Sequence, residues 1–272
     1  MSLTLLTPAV ISCNSPRESS TPEKTIETGV KKGNLFLVAN GEDFIREGFV
    51  SKDGWRLDFD RVYVTLANVT AYQTDPPFNP EKENKIQASK KVVLLNGPKT
   101  VDLAAGEKDA EPILVETVEA PAGTYNAISW KVVKATAGAA EGKTILLEGK
   151  AKKEGQTVKF SLSFDRPLEY TCGEYVGDDR KGILKAENNA QLETTFHFDH
   201  IFGDADTPAD DSLNTDALGF EPLAALASNG SLEADMESVK QKLSAENYRK
   251  LEKAIVNLGH VGEGHCSTNS EQ

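Results

Sequence analysis

Short apolar segments with alternating residues run from Asn34 to Phe202, and they constrain the fold more than any other feature. In the clearest one, WRLDFDRVYVTLANVTAYQ, apolar residues alternate with polar ones, and a shift of phase at Asp60 indicates a β-bulge. We count about nine such segments, separated by turn signals roughly every 8–15 residues and without helical periodicity between them. Alternation of this kind is typical of strands with one buried face. The sequence therefore predicts a mostly β fold, an antiparallel β-sandwich.

After Phe202 the chain is first irregular and acidic, to Gly230, and then takes on a helical pattern. Ser244 is a suitable N-cap and Gly259 a suitable helix stop. We expect two helices between Leu232 and Leu258 that form a hairpin packed on the sandwich. A groove for a partner is the alternative interpretation of their apolar stripes. The stripes consist of Leu232, Met236, Val239 and Leu243, and of Tyr248, Leu251, Ile255 and Leu258.

Charge and hydropathy exclude some kinds of partner. The 272-residue chain carries a formal net charge of -12 and has a pI of about 4.9. Nucleic-acid binding needs clustered Lys and Arg to neutralise phosphates, and electrostatic attachment to anionic lipid needs the same. No apolar run approaches the roughly 18 residues that would span a bilayer. We expect neither nucleic-acid binding nor a membrane contact other than a lipid anchor.

The N-terminal stretch Val10-Ile11-Ser12-Cys13 resembles a bacterial lipobox, in which a small residue precedes a lipidated cysteine. The following residues, up to Gly33, are rich in Ser, Pro, Glu and Lys and resemble a flexible tether. An ordinary cysteine behind a frayed apolar end is the alternative. We expect residues 1–33 to be a signal remnant with tether, 34–202 the β-sandwich, and 203–272 an acidic loop, helical hairpin and His/Cys tail packed on it.

Two further segments, DGWRLDFDRVYVTLANVTAY and VEAPAGTYNAISWKVV, resemble parts of uncharacterised bacterial envelope lipoproteins with sandwich domains. The PAGTY hairpin is the recurring element, and the resemblance covers about half of the chain. It implies a β-sandwich and a lipid-anchored location in the bacterial cell envelope, in the periplasm or on the outer surface. It carries no catalytic residue to any position of this sequence.

Two cysteines remain if Cys13 is lipidated, namely Cys172 and Cys266. An even pair in an exported protein favours a disulfide, although two free thiols or a thiolate metal ligand are alternatives. The bond would close a loop of about 94 residues, which the chain-entropy model values at about 4–5 kcal/mol at most. It would also fix the C-terminal tail against the strand that ends at Cys172.

The four histidines of the chain fall in two short stretches, TTFHFDHIFGD and LGHVGEGHC. Residues three apart on a regular strand point to opposite faces, so the first pair can share a metal only if the strand ends or bulges near Asp199. Gly262 and Gly264 allow a tight loop for the second pair. We predict one divalent transition metal, zinc first and copper second, bound by His197, His200, His260 and His265.

Two alternatives to this ligand set stay open. Asp199 or Glu263 would replace an absent histidine or orient a ring. In the other interpretation the histidines are structural, with His200 at a strand end, His197 paired with a carboxylate and the tail disordered.

The acidic run GDADTPADDSLNTD is a separate candidate for calcium, because Ca²⁺ prefers oxygen ligands. It lacks the glycine of an EF-hand loop at the required spacing, and acidic loops are often only solvated. The possible ligands are Asp204, Asp206, Asp210, Asp211, Asn214 and Asp216.

Catalytic motifs are missing from the sequence: we find no nucleophile elbow, P-loop, dinucleotide fingerprint or zincin motif. The HFDH segment lacks the additional histidine that metallo-β-lactamase-like hydrolases carry. We therefore expect a non-enzymatic, lipid-anchored cell-envelope protein that binds a divalent transition metal. The alternative is a non-catalytic β-sandwich module that binds a carbohydrate or a protein.

Overall fold

The computed structural model describes residues 1, 30–83, 85–177 and 180–268, and at His265 it describes the backbone alone. Cys13 lies outside the described residues, so its lipidation stays a prediction. The described residues from Lys31 onwards form one compact unit. Within the described ranges no helix has the length and hydropathy needed to cross a membrane.

Strands account for 46% of the described residues and helices for 16%, which confirms the prediction of a mostly β protein. The strands are β1 (Lys32–Asn40), β2 (Phe49–Val50), β3 (Arg56–Thr74), β4 (Ala88–Leu95), β5 (Lys99–Asp102), β6 (Ile113–Pro121), β7 (Gly123–Thr124), β8 (Ala127–Val132), β9 (Ile145–Lys153), β10 (Gln156–Phe164), β11 (Leu168–Cys172), β12 (Ile183–Leu184), β13 (Asn189–Phe196), β14 (Ser231–Asp235), β15 (Gly259–Val261) and β16 (Gly264–Thr268). The helices are α1 (Asp43–Glu47), α2 (Asp199–Phe202), α3 (Ser212–Asp216), α4 (Glu221–Ala224), α5 (Met236–Lys242) and α6 (Ala245–Val256).

Most strands belong to one hydrogen-bonded sheet, in the order β14-β10-β9-β3-β8-β11-β16-β15-β13-β1-β6, with β2, β4 and β5 also paired to β3. Strands β7 and β12 form a separate pair. The pairs β1–β13 and β10–β14 are parallel, so the sheet is mixed rather than purely antiparallel. Because β16 pairs with β11 on one side and β15 on the other, the strands are continuous, and two separate sandwich sheets are not confirmed.

The longest strand, β3, shows why the alternating pattern was informative. Its register against β9 shifts between Phe59 and Arg61, which confirms the bulge predicted at Asp60. On either side of the shift Leu57 and Val62 are fully buried, so the bulge keeps the apolar residues on the core face.

The C-terminal region departs from the predicted helical hairpin. Leu232 lies in strand β14, so a helix beginning there is wrong, and the first helix starts only at Met236. The second helix is as expected: the Ser244 side chain accepts a hydrogen bond from the Asn247 N–H and caps α6. Apolar side chains on one face of α6, Leu251 among them, join the core.

Gly259 is not a helix stop, since α6 ends at Val256 and Gly259 opens strand β15. A Cβ atom at this position would lie 2.5 Å from the Tyr170 ring, so glycine is needed for close packing against the core. The tail predicted as a loop is therefore a β-hairpin inside the sheet, formed by β15 and β16.

The predicted disulfide is confirmed. Cys172 and Cys266 are bonded, with their Cα atoms 4.3 Å apart, and they lie opposite each other in the β11–β16 pair. The alternatives of free thiols and a thiolate ligand are thereby excluded. The bond fixes the C-terminal hairpin to β11.

Candidate metal centre

The candidate site lies at the ends of three neighbouring strands within the sheet. Thr195, near the end of β13, lies opposite Asn40 at the end of β1 and opposite His260 in β15. Strand β1 ends at Asn40 and β13 ends one residue after Thr195, at Phe196, so both strands leave the sheet just beyond the Asn40–Thr195 pair. Glu42 and His197, each two residues further along, therefore come together beside His260.

The turn after β13 removes the geometric obstacle that a regular strand would impose. The strand ends at Phe196 and α2 begins at Asp199. The His200 N–H donates to the His197 carbonyl at 3.3 Å and to the Asp199 carboxylate at 3.1 Å. As a result, the ring centroids of His197 and His200 are 5.7 Å apart.

His197, Asp199 and His200 form the group that could hold a metal ion. One ligand atom from each residue lies within 4.8 Å of the others. Two nitrogens bound to one tetrahedral zinc are about 3.3 Å apart, given Zn–N distances of about 2.0–2.1 Å. A small inward movement of the side chains would be enough to reach that spacing.

His197 is nearly buried, with 8% of its surface exposed. Its Nε2 makes no hydrogen bond to the described residues, and the nearest carboxylate oxygen, Glu42 Oε1, lies 3.6 Å away. Its Nδ1 lies 3.9 Å from Asp199 Oδ1. A buried imidazole nitrogen without a hydrogen bond is costly, and Glu42 is the nearest group that could satisfy Nε2.

His200 is held from the other side of the site. Its Nδ1 lies 3.1 Å from the carbonyl oxygen of Asn257, just after α6. A carbonyl only accepts hydrogen bonds, so Nδ1 carries the proton in this pair. In this tautomer of a neutral ring, Nε2 is the nitrogen that can act as a metal ligand.

His260 packs against both rings of the group. It is 2% exposed, its centroid is 4.2 Å from that of His197 in a stacked arrangement, and 5.0 Å from that of His200. It is not part of the group of three ligand atoms. His265 lies opposite His260 in the β15–β16 pair, and its side chain is outside the described residues. A site made by all four histidines stays a prediction.

Glu42 occupies a strained backbone conformation beside His197. Its φ of 62° and ψ of 165° fall in a region that residues other than glycine rarely adopt. The Glu42 N–H donates to the Asn40 side-chain oxygen at 3.0 Å, which helps to hold this conformation. Burial raises the pKa of the Glu42 carboxyl, His197 counteracts this, and Glu193 and Glu263 add to the increase.

A second carboxylate, Glu193, lies behind the site and is neutralised there. Its side chain accepts hydrogen bonds from Asn40 and Thr195, both at 3.0 Å, and from Lys181. Burial would lower the pKa of Lys181, but its hydrogen bond and ion pair with Glu193 raise it. Because Lys181 is matched to Glu193, the carboxylates left beside His197 are those of Glu42 and Asp199.

A cleft of about 460 Å³ opens from the histidine side of the site towards α3 and α6. It gives solvent and small molecules access to the three possible ligands. Its lining residues are His197, Asp199, His200, Ser212, Leu213, Asp216, Lys253, Ala254, Asn257, His260 and Glu263.

The acidic side chains of the loop, which were candidates for a calcium site, are not gathered into a group of three. Over residues 203–216, all of them described, no three acidic side chains gather as metal ligands. Asp211 caps α3 by accepting from the Leu213 N–H, and Asp216 pairs with Lys253 at 2.7 Å. The Asn214 side chain is buried and bonded to the loop backbone. These oxygens stabilise the loop itself.

Sequence reasoning missed Glu42 and Asn257. Glu42 is more than 150 residues from His197 along the chain, and only the register of β1 on β13 brings the two together. Asn257 acts through its backbone carbonyl, which no residue type reveals.

Comparison of the chain with protein-family models, with curated proteins and with solved structures gave no match. The function must therefore be inferred from the site.

Proposed function

We propose that this protein binds a divalent transition metal through His197, Asp199 and His200. The observation that supports the proposal is the grouping of three ligand atoms within 4.8 Å at the edge of an open cleft. Imidazole and carboxylate together suit zinc, and imidazole also suits copper. Zinc is our first choice and copper our second.

The surroundings of the two imidazoles support this ligand set. Metal-binding histidines usually place their second nitrogen against a carboxylate or a carbonyl, which fixes the ring and its tautomer. His197 Nε2 faces the Glu42 carboxylate and His200 Nδ1 faces the Asn257 carbonyl. This assignment gives His197 Nδ1 and His200 Nε2 as the metal-binding nitrogens, and Asp199 lies between these residues in the chain.

The cellular role that we propose is the holding or delivery of metal at the bacterial cell envelope by a lipid-anchored, non-enzymatic protein. The support for the anchor is the lipobox-like sequence ending at Cys13 and the polar stretch behind it. Labelling cells with a palmitate analogue tests it. The wild-type precursor should take up label and a Cys13→Ala variant should not, and equal labelling of both would refute the anchor.

Calorimetric titration of the metal-free full chain with zinc tests the metal site. We expect micromolar or tighter binding at pH 7.5, lost in His197→Ala. The His260→Ala variant shows whether the C-terminal hairpin supplies a ligand: loss there too supports a site shared by both stretches. Retention in His260→Ala would restrict the site to the stretch from His197 to His200. Absence of zinc and copper binding in the wild type would refute the proposal.

A further inference from the structure

We infer that the bound metal keeps one coordination position open to the cleft, and that this position takes a small monoanionic ligand of the carboxylate class. The inference rests on the proposed function. It follows from the number of protein ligands to the metal, the position of the cleft beside them and the charge of the metal with its ligands.

The described residues offer three ligand atoms, whereas a tetrahedral metal takes four. His260 is poorly placed as the fourth, because its ring stacks on His197 with an interplanar angle of 29°. Imidazole nitrogens bind metals in the plane of the ring, so two stacked rings do not direct their lone pairs to one point. Glu42 faces the other nitrogen of His197 and not Nδ1.

The open side of the three ligands is the cleft. Its volume of about 460 Å³ lies within the range of small-molecule sites, which is roughly 300–1,000 Å³. All three ligand residues line it, and Lys253 of α6 lines the same space. Lys253 lies one helical turn before Asn257, whose carbonyl holds His200, so it is on the side of α6 that faces the site.

Charge balance selects the class of ligand. A divalent metal with Asp199 as its one anionic ligand leaves a net charge of +1, and bound metal ions are often the largest charges in such sites. One negative charge on the incoming ligand would neutralise it. Asp216 and Glu263 also line the cleft, and their carboxylates disfavour a dianion such as phosphate.

Lys253 supplies a second contact for the ligand. Its ammonium pairs with Asp216 at 2.7 Å, but both side chains are well exposed, at 60% and 59%. Exposed pairs of this kind contribute little to stability. A carboxylate that coordinates the metal with one oxygen could therefore share the Lys253 ammonium with Asp216.

The test uses the metal-free full chain loaded with cobalt(II), whose visible absorption bands respond to changes in coordination. Addition of azide and, separately, of acetate should shift these bands in a saturable way, and phosphate should bind more weakly than acetate. If the cobalt bands do not change with either monoanion, the site is filled by protein ligands. That result would overturn this inference alone. Tighter binding of phosphate than of acetate would overturn the assigned class. Failure to bind cobalt, zinc or copper would refute the metal site itself.

Variants of two neighbouring lysines locate the ligand. Lys253→Gln should weaken acetate binding by up to about fivefold, as expected for loss of one exposed charge contact, and Lys253→Arg should restore it. Lys250→Gln is the matched control, because Lys250 is on the same helix and bonds to the Thr215 carbonyl outside the cleft lining. Equal weakening in Lys253→Gln and Lys250→Gln would show only a general charge effect and would refute the Lys253 contact.

Discussion

The histidine cluster at the end of β13 and the acidic loop that follows it are both rich in metal-binding side chains, yet they are organised differently. In the cluster, His197 lacks a hydrogen bond at Nε2 and Glu42 holds a strained backbone. In the loop, Asp211 caps a helix and Asn214 binds the backbone. The polar side chains of the loop bind within the loop, whereas one ligand atom each of His197, Asp199 and His200 lies within 4.8 Å of the others.

The difference shows that residue type alone is a weak guide to a metal site. Acidic loops and histidine pairs both offer suitable ligands in sequence, but several ligand atoms must lie close together before they can bind one metal ion. The predictions below test whether this distinction is correct, and they begin with the largest expected effect.

Removal of the disulfide should act on the histidine cluster and spare the acidic loop. Replacing both Cys172 and Cys266 by serine opens a loop closed over a sequence separation of 94 residues and should lower the free energy of unfolding by up to about 4–5 kcal/mol. It also frees the hairpin that carries His260, so zinc affinity should fall. Urea unfolding and zinc titration measure the two effects. Amide hydrogen exchange in the variant and the wild type serves as the control. An equal increase in residues 203–216 and in the β15–β16 hairpin would contradict the expected difference between the two regions.

Ligand substitutions should separate the two regions most directly. His200→Ala should weaken zinc binding at least about a hundredfold, since loss of a partner of a ligand already costs roughly 10–100-fold. The control is Asp206→Asn combined with Asp210→Asn, both exposed in the acidic loop, which should leave zinc affinity unchanged. Calorimetry on metal-free proteins provides the comparison. A similar loss in the control would mean that bulk negative charge, and not the cluster, attracts the metal.

Local pattern was sufficient for much of the fold. Alternation predicted the strands and the bulge at Asp60, and Ser244 marked the start of α6. The pattern failed at Leu232, because the buried residues there, Leu232 and Ala234, are two apart and fit a short strand whose partner, β10, is distant in sequence. The two parallel pairings were unpredictable for the same reason: register depends on contacts that no single segment encodes.

The candidate site was predicted in outline from residue type and spacing. The condition that the strand must end before Asp199 followed from strand geometry, and the structure meets it. The arrangement of His260 and the position of Glu42 needed the sheet order, because β15 and β1 flank β13 from opposite sides. In the sequence, the Asn40-Gly41 pair marks the end of β1, but it does not show which strand β1 lies beside.

Asn214 should be essential to the loop and irrelevant to the metal. Its side-chain amide donates to the carbonyls of Asp204, Thr207 and Pro208, at 2.8, 2.9 and 3.2 Å. Asn214→Ala should lower the free energy of unfolding by about 2 kcal/mol, because three carbonyls bonded to a buried side chain lose their donor, while zinc affinity stays unchanged. Chemical denaturation measures the first quantity. In Asn214→Asp the donors are replaced by a carboxylate, and a gain of calcium affinity there would show that the loop is a latent calcium site after all.

Glu42 provides the finest test, because stability and metal binding should respond in opposite directions. Glu42→Gly relieves a backbone conformation that costs about 1–3 kcal/mol in other residues, and after the entropic cost of glycine the gain should be about 1 kcal/mol. Zinc binding should weaken about tenfold, since His197 loses the carboxylate that orients it. Glu187→Gly is the matched control: Glu187 has a similar φ of 61° and is exposed. It should keep full zinc affinity, because Glu187 is not one of the residues around His197. If Glu42→Gly is more stable and binds zinc as tightly as the wild type, the strain at Glu42 serves the fold alone, and the ligand set must be held by Asn257 and the α2 turn.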